Sequence, residues 1–205
     1  MNKPREPASG LSEPGSRREA GLNREAAARA IEAFLRALGR DPGNEPELAG
    51  TGERVATAWA DELLAGYAVD VDALLAGSVL AGSSELVVVR DLPVATTCPH
   101  HLMPSTGTAT VAFAPRDRLV GVGAVARLVD AFARRLVLQE QIGEHVVQAL
   151  DRHLRPRWAA CRIVLSHACM TARGERTHGA RVETVATAGD AADVAVIYAV
   201  LGVGR

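Results

Sequence analysis

Two short stretches hold most of the chain's chemically capable side chains, Thr97-Cys98-Pro99-His100-His101 and His167-Ala168-Cys169. Thiolate and neutral imidazole are the donors zinc prefers, and Cys98, His101 and Cys169 supply three of its four tetrahedral positions, leaving one for water. A structural zinc normally takes four protein ligands, so three point to a hydrolytic site, where the metal activates water at neutral pH. Taken singly, each stretch reads as ordinary buried cysteines and histidines at strand ends. Taken together, four of the six histidines, His100, His101, His167 and His178, gather around two of the three cysteines, and that shifts the balance toward metal. The third cysteine, Cys161, lies in a Val/Ile-rich run and reads as core. Three cysteines with no signal peptide ahead of them suit the cytosol.

These donors need elements to hold them. The chain has 205 residues, 48% hydrophobic and 23% charged, enough for one full-sized domain and a tail. A formal net charge of -1 gives no global field for nucleic acid or an anionic membrane. The apolar run Val194 to Leu201 is far shorter than the roughly 18 residues of a membrane span and reads as a strand or helix fragment. Residues 1 to 22 are rich in Pro, Gly and charge without apolar periodicity and read as a disordered tail, leaving 23–205 as the folded domain.

From Asn23, a plausible N-cap, Ala27, Ile31, Phe34, Leu35 and Leu38 repeat at helical spacing up to Gly39. A second helix follows Thr51, with Val55, Trp59, Leu63 and Leu64 as its inward stripe, and stops at Gly66. Leu86 to Val89 and Gly107 to Phe113 read as strands, with a turn at Pro115 to Arg118. Helices are expected over Val122 to Arg135 and Gln139 to Leu154, then strands over Ala160 to Ser166 and Arg181 to Thr187. This order predicts an α+β domain, an antiparallel sheet with helices on one face.

The motifs then carry a resemblance. Cys98-Pro99-His100-His101, Gly121 to Arg127, Arg134 to Glu140, and His167 to Gly174 resemble, in order and spacing, the C-x-H-H, G-L-S-K-x-x-R, R-R-x-x-x-Q-E and H-x-C-x-x-x-R-G signature of the GTP cyclohydrolase I family, over roughly residues 25 to 188. The resemblance implies a zinc hydrolase of the tunnelling fold, usually a homodecamer with active sites between subunits. It implies Zn2+ on Cys98, His101 and Cys169, and His100 and His167 as the histidines that move protons while water opens the purine imidazole and formate leaves. The product in the family is 7,8-dihydroneopterin triphosphate. Gln139 and Glu140 match the base-recognition positions. Glu140 would pair with the guanine amino and imino groups, which adenine cannot match. Arg54, Arg127 and Arg173 match retained basic positions of the family, which leaves some capacity for an anion.

The departures cluster on one part of the ligand. The family Ser-Lys at the start of the third expected helix is Gly123-Ala124 here, and a usual basic position is Thr57. Lys3 is the only lysine among 23 basic residues, yet neither lost lysine became arginine. Two missing contacts to phosphate imply roughly a hundredfold or greater weakening if nothing compensates. Pro99 also replaces an acidic residue, and Val194 to Leu201 replaces a charged C-terminal helix. Three readings follow: an active GTP cyclohydrolase I with altered phosphate contacts, a divergent hydrolase opening a guanine-like ring with little or no phosphate, and a non-catalytic purine- or pterin-binding subunit. Retention of both proton-transfer histidines weighs against the last.

Overall fold

Asn23 opens the ordered chain as expected, its side chain accepting the Ala26 N–H at 2.9 Å. The structure is a computed structural model and describes residues 22–190 and 194–203. All of the expected tail except Leu22 lies outside the described residues. The chain divides into two compact units, residues 1–56 and 57–205.

In the first unit, α1 (Arg24–Ala37) is followed by Gly39 in the left-handed region at φ +76°. Its expected apolar stripe is not a buried face. Phe34 and Leu38 are 60% and 62% exposed, and no residue of the helix is buried. Helix α2 (Thr51–Ala58) includes Thr51 rather than following it as a cap. Its buried positions are the small residues Gly52 and Ala56 and not Val55, because Gly52 abuts the Ala28 carbonyl of α1.

The second unit continues past α2 through a π turn at Trp59–Leu63 and a 3-10 turn at Ala65–Ala68, so the expected single helix to Gly66 is broken. Gly66 is buried there because its N–H donates to the Arg134 carbonyl at 3.0 Å and any Cβ would fall 2.1 Å from the Ala131 carbonyl oxygen. The short helix α3 (Val71–Ala76), capped by Asp70, and the three-residue strand β1 (Val79–Ala81) come next. Two long strands follow, β2 (Val87–Thr97) and β3 (Pro104–Ala114), then β4 (Arg118–Val120), which pairs antiparallel with β1. Helices α4 (Val122–Ala133) and α5 (Gln139–Leu154) lead to β5 (Trp158–His167), the single turn α6 (Ala168–Thr171), β6 (Val182–Gly189) and α7 (Val194–Leu201).

The main sheet is antiparallel with strand order β2-β3-β5-β6, which makes the protein α+β as expected. Strand alternation sorts its side chains. Ala109, Val111 and Phe113 of β3 and Ala159, Cys161, Ile163 and Leu165 of β5 face α4 and α5, joining Val125, Leu128, Val129, Ile142, Val146 and Leu150 in one core. Each such aliphatic side chain contributes roughly 1.5–3 kcal/mol of burial. Cys161 is part of this core, and burial pushes its thiol up to about 12. The opposite face, at the Ala112 and Ala160 end, is covered by Ile197 and Leu201 of α7, so the apolar C-terminal run is a helix. Among the described residues no helix is long and apolar enough to cross a membrane.

One helix-facing group sets a pH dependence. His145 of α5 stacks on Phe132 of α4 with ring centroids 5.2 Å apart, and its buried Nδ1 has no hydrogen-bond partner. Burial first, and the Arg135 guanidinium second, hold the imidazole below its usual 6.5, with Glu144 opposing them weakly. Above that value both folded and unfolded chains carry neutral imidazole. As pH falls below it the unfolded chain takes up a proton that the folded chain refuses, so stability declines toward the folded-state value. The urea midpoint is expected to drop between about pH 7.5 and about pH 5.5, and His145→Leu to flatten that drop. An unchanged slope in the variant would contradict this.

Candidate metal centre and active site

The cluster is assembled at one end of the main sheet. β2 ends at Thr97, and a tight loop turns back into β3, with Cys98 N–H donating to the Met103 carbonyl at 3.0 Å and Leu102 N–H to the Cys98 carbonyl at 2.9 Å. Leu102 is held at φ +53°, the reversal that lets the loop present Cys98 and His101 together. β5 ends at His167, and α6 follows at once and carries Cys169. The single strand β3 lies between β2 and β5, so their ends are close in space although about 70 residues apart in sequence.

The donor atoms of Cys98, His101 and Cys169 all lie within 4.8 Å of one another. Cys98 and Cys169 are half-buried free thiols and His101 is exposed, which leaves one side of the cluster open. Two sulfurs and an imidazole nitrogen at this spacing fit zinc, and the open side leaves a coordination position for water or substrate. His100 is exposed beside His101, with ring centroids 6.5 Å apart.

His167 and Gln139 form the second part of the site. The Gln139 amide nitrogen donates toward the Ile163 carbonyl at 3.0 Å, the Val182 carbonyl at 3.0 Å and Thr184 Oγ1 at 3.2 Å. Its oxygen faces His167 Nε2 at 2.7 Å, and the other ring nitrogen, Nδ1, meets Ser105 Oγ at 2.9 Å. Burial holds the His167 imidazole below its usual range, with the Glu140 charge pulling the other way. That influence puts exposed Glu140, in the first turn of α5, within electrostatic reach of His167. The helix start is fixed by Gln141, whose side chain accepts the Leu138 N–H at 3.1 Å, and by a parallel bridge between Leu136 and Thr97.

The expected arginines sit on three different elements. Arg127, on α4, lines a groove of about 180 Å³ with Asp130, Arg134, Val69 and Leu74. Arg173 is exposed in the loop after α6. Arg54 belongs to the first unit, where it donates to the Ala49 carbonyl at 2.8 Å and to Thr51 Oγ1 at 3.0 Å. Ala124, at the expected lysine position, is buried at 2% exposure, while Gly123 is exposed.

Three residues escaped the sequence reading. Ser105, 1% exposed, borders His167, Thr184 borders Gln139, and Thr96 is the direct cross-strand partner of Ser105. The signal was available for Ser105. It continues the inward series Gly107, Ala109, Val111, Phe113 two residues ahead of the expected strand start.

An α+β chain whose sheet end carries an open two-thiol, one-imidazole cluster near a half-buried histidine has the donor set of a hydrolytic metal site. The sequence matches the GTP cyclohydrolase I family over residues 27–200. It is 38% identical over 170 residues to the GTP cyclohydrolase 1 of Allorhizobium ampelinum, covering 82% of this chain and 84% of that protein. It is 40% identical over 159 residues to the GTP cyclohydrolase 1 of Nitrosospira multiformis, covering 77% and 82%. Among solved structures it is similar to an archaeosine synthase QueF-Like in the apo form, with a TM-score of 0.45 and 18% identity over 54% of this chain and 100% of that one. The chain belongs to the GTP cyclohydrolase I family, whose enzymes are hydrolases acting on C–N bonds of cyclic amidines.

Proposed function

We propose that the protein opens the imidazole ring of a guanine nucleotide by hydrolysis, converting GTP and water to formate and 7,8-dihydroneopterin triphosphate in service of folate or pterin synthesis. The observation that carries this reading is the approach of Cys98, His101 and Cys169 to within 4.8 Å beside His100 and His167. These three residues would hold zinc, which when bound would supply Lewis-acid chemistry and an activated water at neutral pH. Glu140 accepts hydrogen bonds from the guanine N1–H and 2-amino group, and its exposure at the start of α5 leaves it free to do so. His100, exposed next to His101, moves a proton to the ring nitrogen as the C–N bond breaks, and His167 serves the second proton transfer. Arg127, Arg173 and Arg54 are the proposed phosphate contacts.

Glu140→Gln keeps the side chain's shape and removes its charge. Losing a charge-assisted contact of roughly 1.5–3 kcal/mol is expected to lower kcat/KM for GTP about ten- to a hundredfold. Steady-state formate release measures this, and an unchanged kcat/KM would take Glu140 out of base recognition.

One observation favours a second reading, a substrate with fewer phosphates. The start of α4 offers only Gly123 and buried Ala124, and its nearest cation, Arg127, lies in a groove that also holds Asp130. Zinc-loaded protein supplied with GTP, GMP, guanosine and guanine separates the two. Preferential formate release from GTP supports the first reading, preferential turnover of GMP or guanosine supports the second, and zinc binding without formate from any of them removes both. We further propose a cytoplasmic homo-oligomer whose subunits meet at the site, supported by the exposure of His101 and by the position of β2 and β6 at the two edges of the sheet.

A further inference from the structure

The side chains bordering His167 leave its ring only one arrangement. Gln139 has two amide hydrogens and three oxygen atoms around its nitrogen, the Ile163 and Val182 carbonyls and Thr184 Oγ1. Turning the amide over would set its oxygen against two carbonyl oxygens and its NH2 against the ring, so the oxygen faces His167. An amide oxygen only accepts, so Nε2 of His167, 2.7 Å away, carries the hydrogen. The neutral ring then has its lone pair on Nδ1, and the Ser105 hydroxyl, 2.9 Å away, donates to it. Both partners are themselves fixed. Gln139 is 4% exposed and Ser105 1%, and Ser105 is paired in register with Thr96 on one side and with His167 on the other.

We propose that Ser105 and Gln139 are positioning residues that lock His167 as the Nε2–H tautomer and fix its ring plane at the end of β5, and that Gln139 acts through His167 and not on the purine. The consequence for catalysis rests on the ring-opening reading above. The tautomer itself follows from the hydrogen bonds alone. Misplacing a group positioned for proton transfer by about an ångström is expected to change activity about 10- to 100-fold. Both side chains are buried, so the loss is expected to fall on kcat and to leave KM unchanged.

The test is 15N solid-state NMR on histidine-labelled, zinc-loaded protein, with the His167 signals assigned by their loss in His167→Gln. The wild type is expected to show a protonated Nε2 and an unprotonated Nδ1. Gln139→Leu removes the only acceptor for Nε2 among the described residues, so the ring is expected to invert to Nδ1–H, donating to Ser105. Ser105→Ala, a smaller change that the strand accommodates readily, is expected to keep Nε2–H, broaden the ring signals, and lower kcat about tenfold at constant KM. An Nδ1–H tautomer in the wild type would overturn the proposal. So would Ser105→Ala with unbroadened signals and wild-type kcat, or a change confined to KM in either variant. The expected tautomers without formate release from any guanine compound would leave the lock standing and overturn the ring-opening reading instead.

Discussion

Cys169→Ala is expected to release the metal and reduce kcat/KM for the guanine substrate by at least about a thousandfold. The cluster has three donors and two of them are thiols, so removing Cys169 leaves one thiolate and one exposed imidazole, too few to hold zinc at neutral pH. The side chain lies in the one-turn α6 and is only half-buried, so its loss disturbs packing little, and circular dichroism should remain that of the wild type. Elemental analysis after gel filtration reads the metal directly. The third cysteine provides the control. Cys161 is fully buried, with its thiol pushed up to about 12, so it stays protonated and no metal ligand is lost when it is replaced. Cys161→Ala is expected to keep wild-type metal content and to cost about 1 kcal/mol of stability. Metal retained by Cys169→Ala, or lost by Cys161→Ala, would contradict the assignment of ligands.

Gly107→Ala is expected to be the most damaging single substitution in the sheet. A Cβ at this position would lie 2.0 Å from the Val164 carbonyl oxygen and 3.0 Å from its carbon, both backbone atoms that cannot turn aside. Strand β5 would have to move away from β3, in a register where Gly107 pairs with Leu165, two residues before His167 and four before Cys169. Overpacking against fixed backbone typically destabilises by 1–3 kcal/mol and occasionally more, and the shortness of this contact places the expected loss at about 3 kcal/mol or above. The urea midpoint measures it. Zinc content should fall in parallel, because the same displacement draws Cys169 away from Cys98. A variant with the wild-type midpoint would mean that the two strands are not as close as described.

The chemistry was more legible in the sequence than the architecture that positions it. Helices α4 and α5 began where their patterns predicted, at Val122 and Gln139, because apolar side chains recur there at helical spacing over three or more turns. Strands β1 and β4 have three residues each and α3 has six, lengths too short to show a period, and all three went unseen as elements. The apolar stripe of α1 was read correctly as a pattern, but a pattern states only what a helix could bury. Phe34 and Leu38 remain exposed. The types Cys, His and Cys pointed to a metal, yet nothing local to Cys98 or Cys169 says that one strand pairs with both of theirs. That follows from the order β2-β3-β5, a tertiary fact. The hydrogen bonds of Gln139 were hidden for the same reason, since its partners Ile163, Val182 and Thr184 come from two strands that meet only in the folded chain.

The lone backbone bridge between Thr97 and Leu136 ties two mechanical parts together. Thr97 is the last residue before the loop that carries Cys98 and His101, and Leu136 stands four residues ahead of Glu140. The loop with the proposed metal ligands and the helix start with the proposed base-reading carboxylate therefore share one hinge pin, so lengthening the link between α4 and α5 by a single residue is expected to loosen both at once.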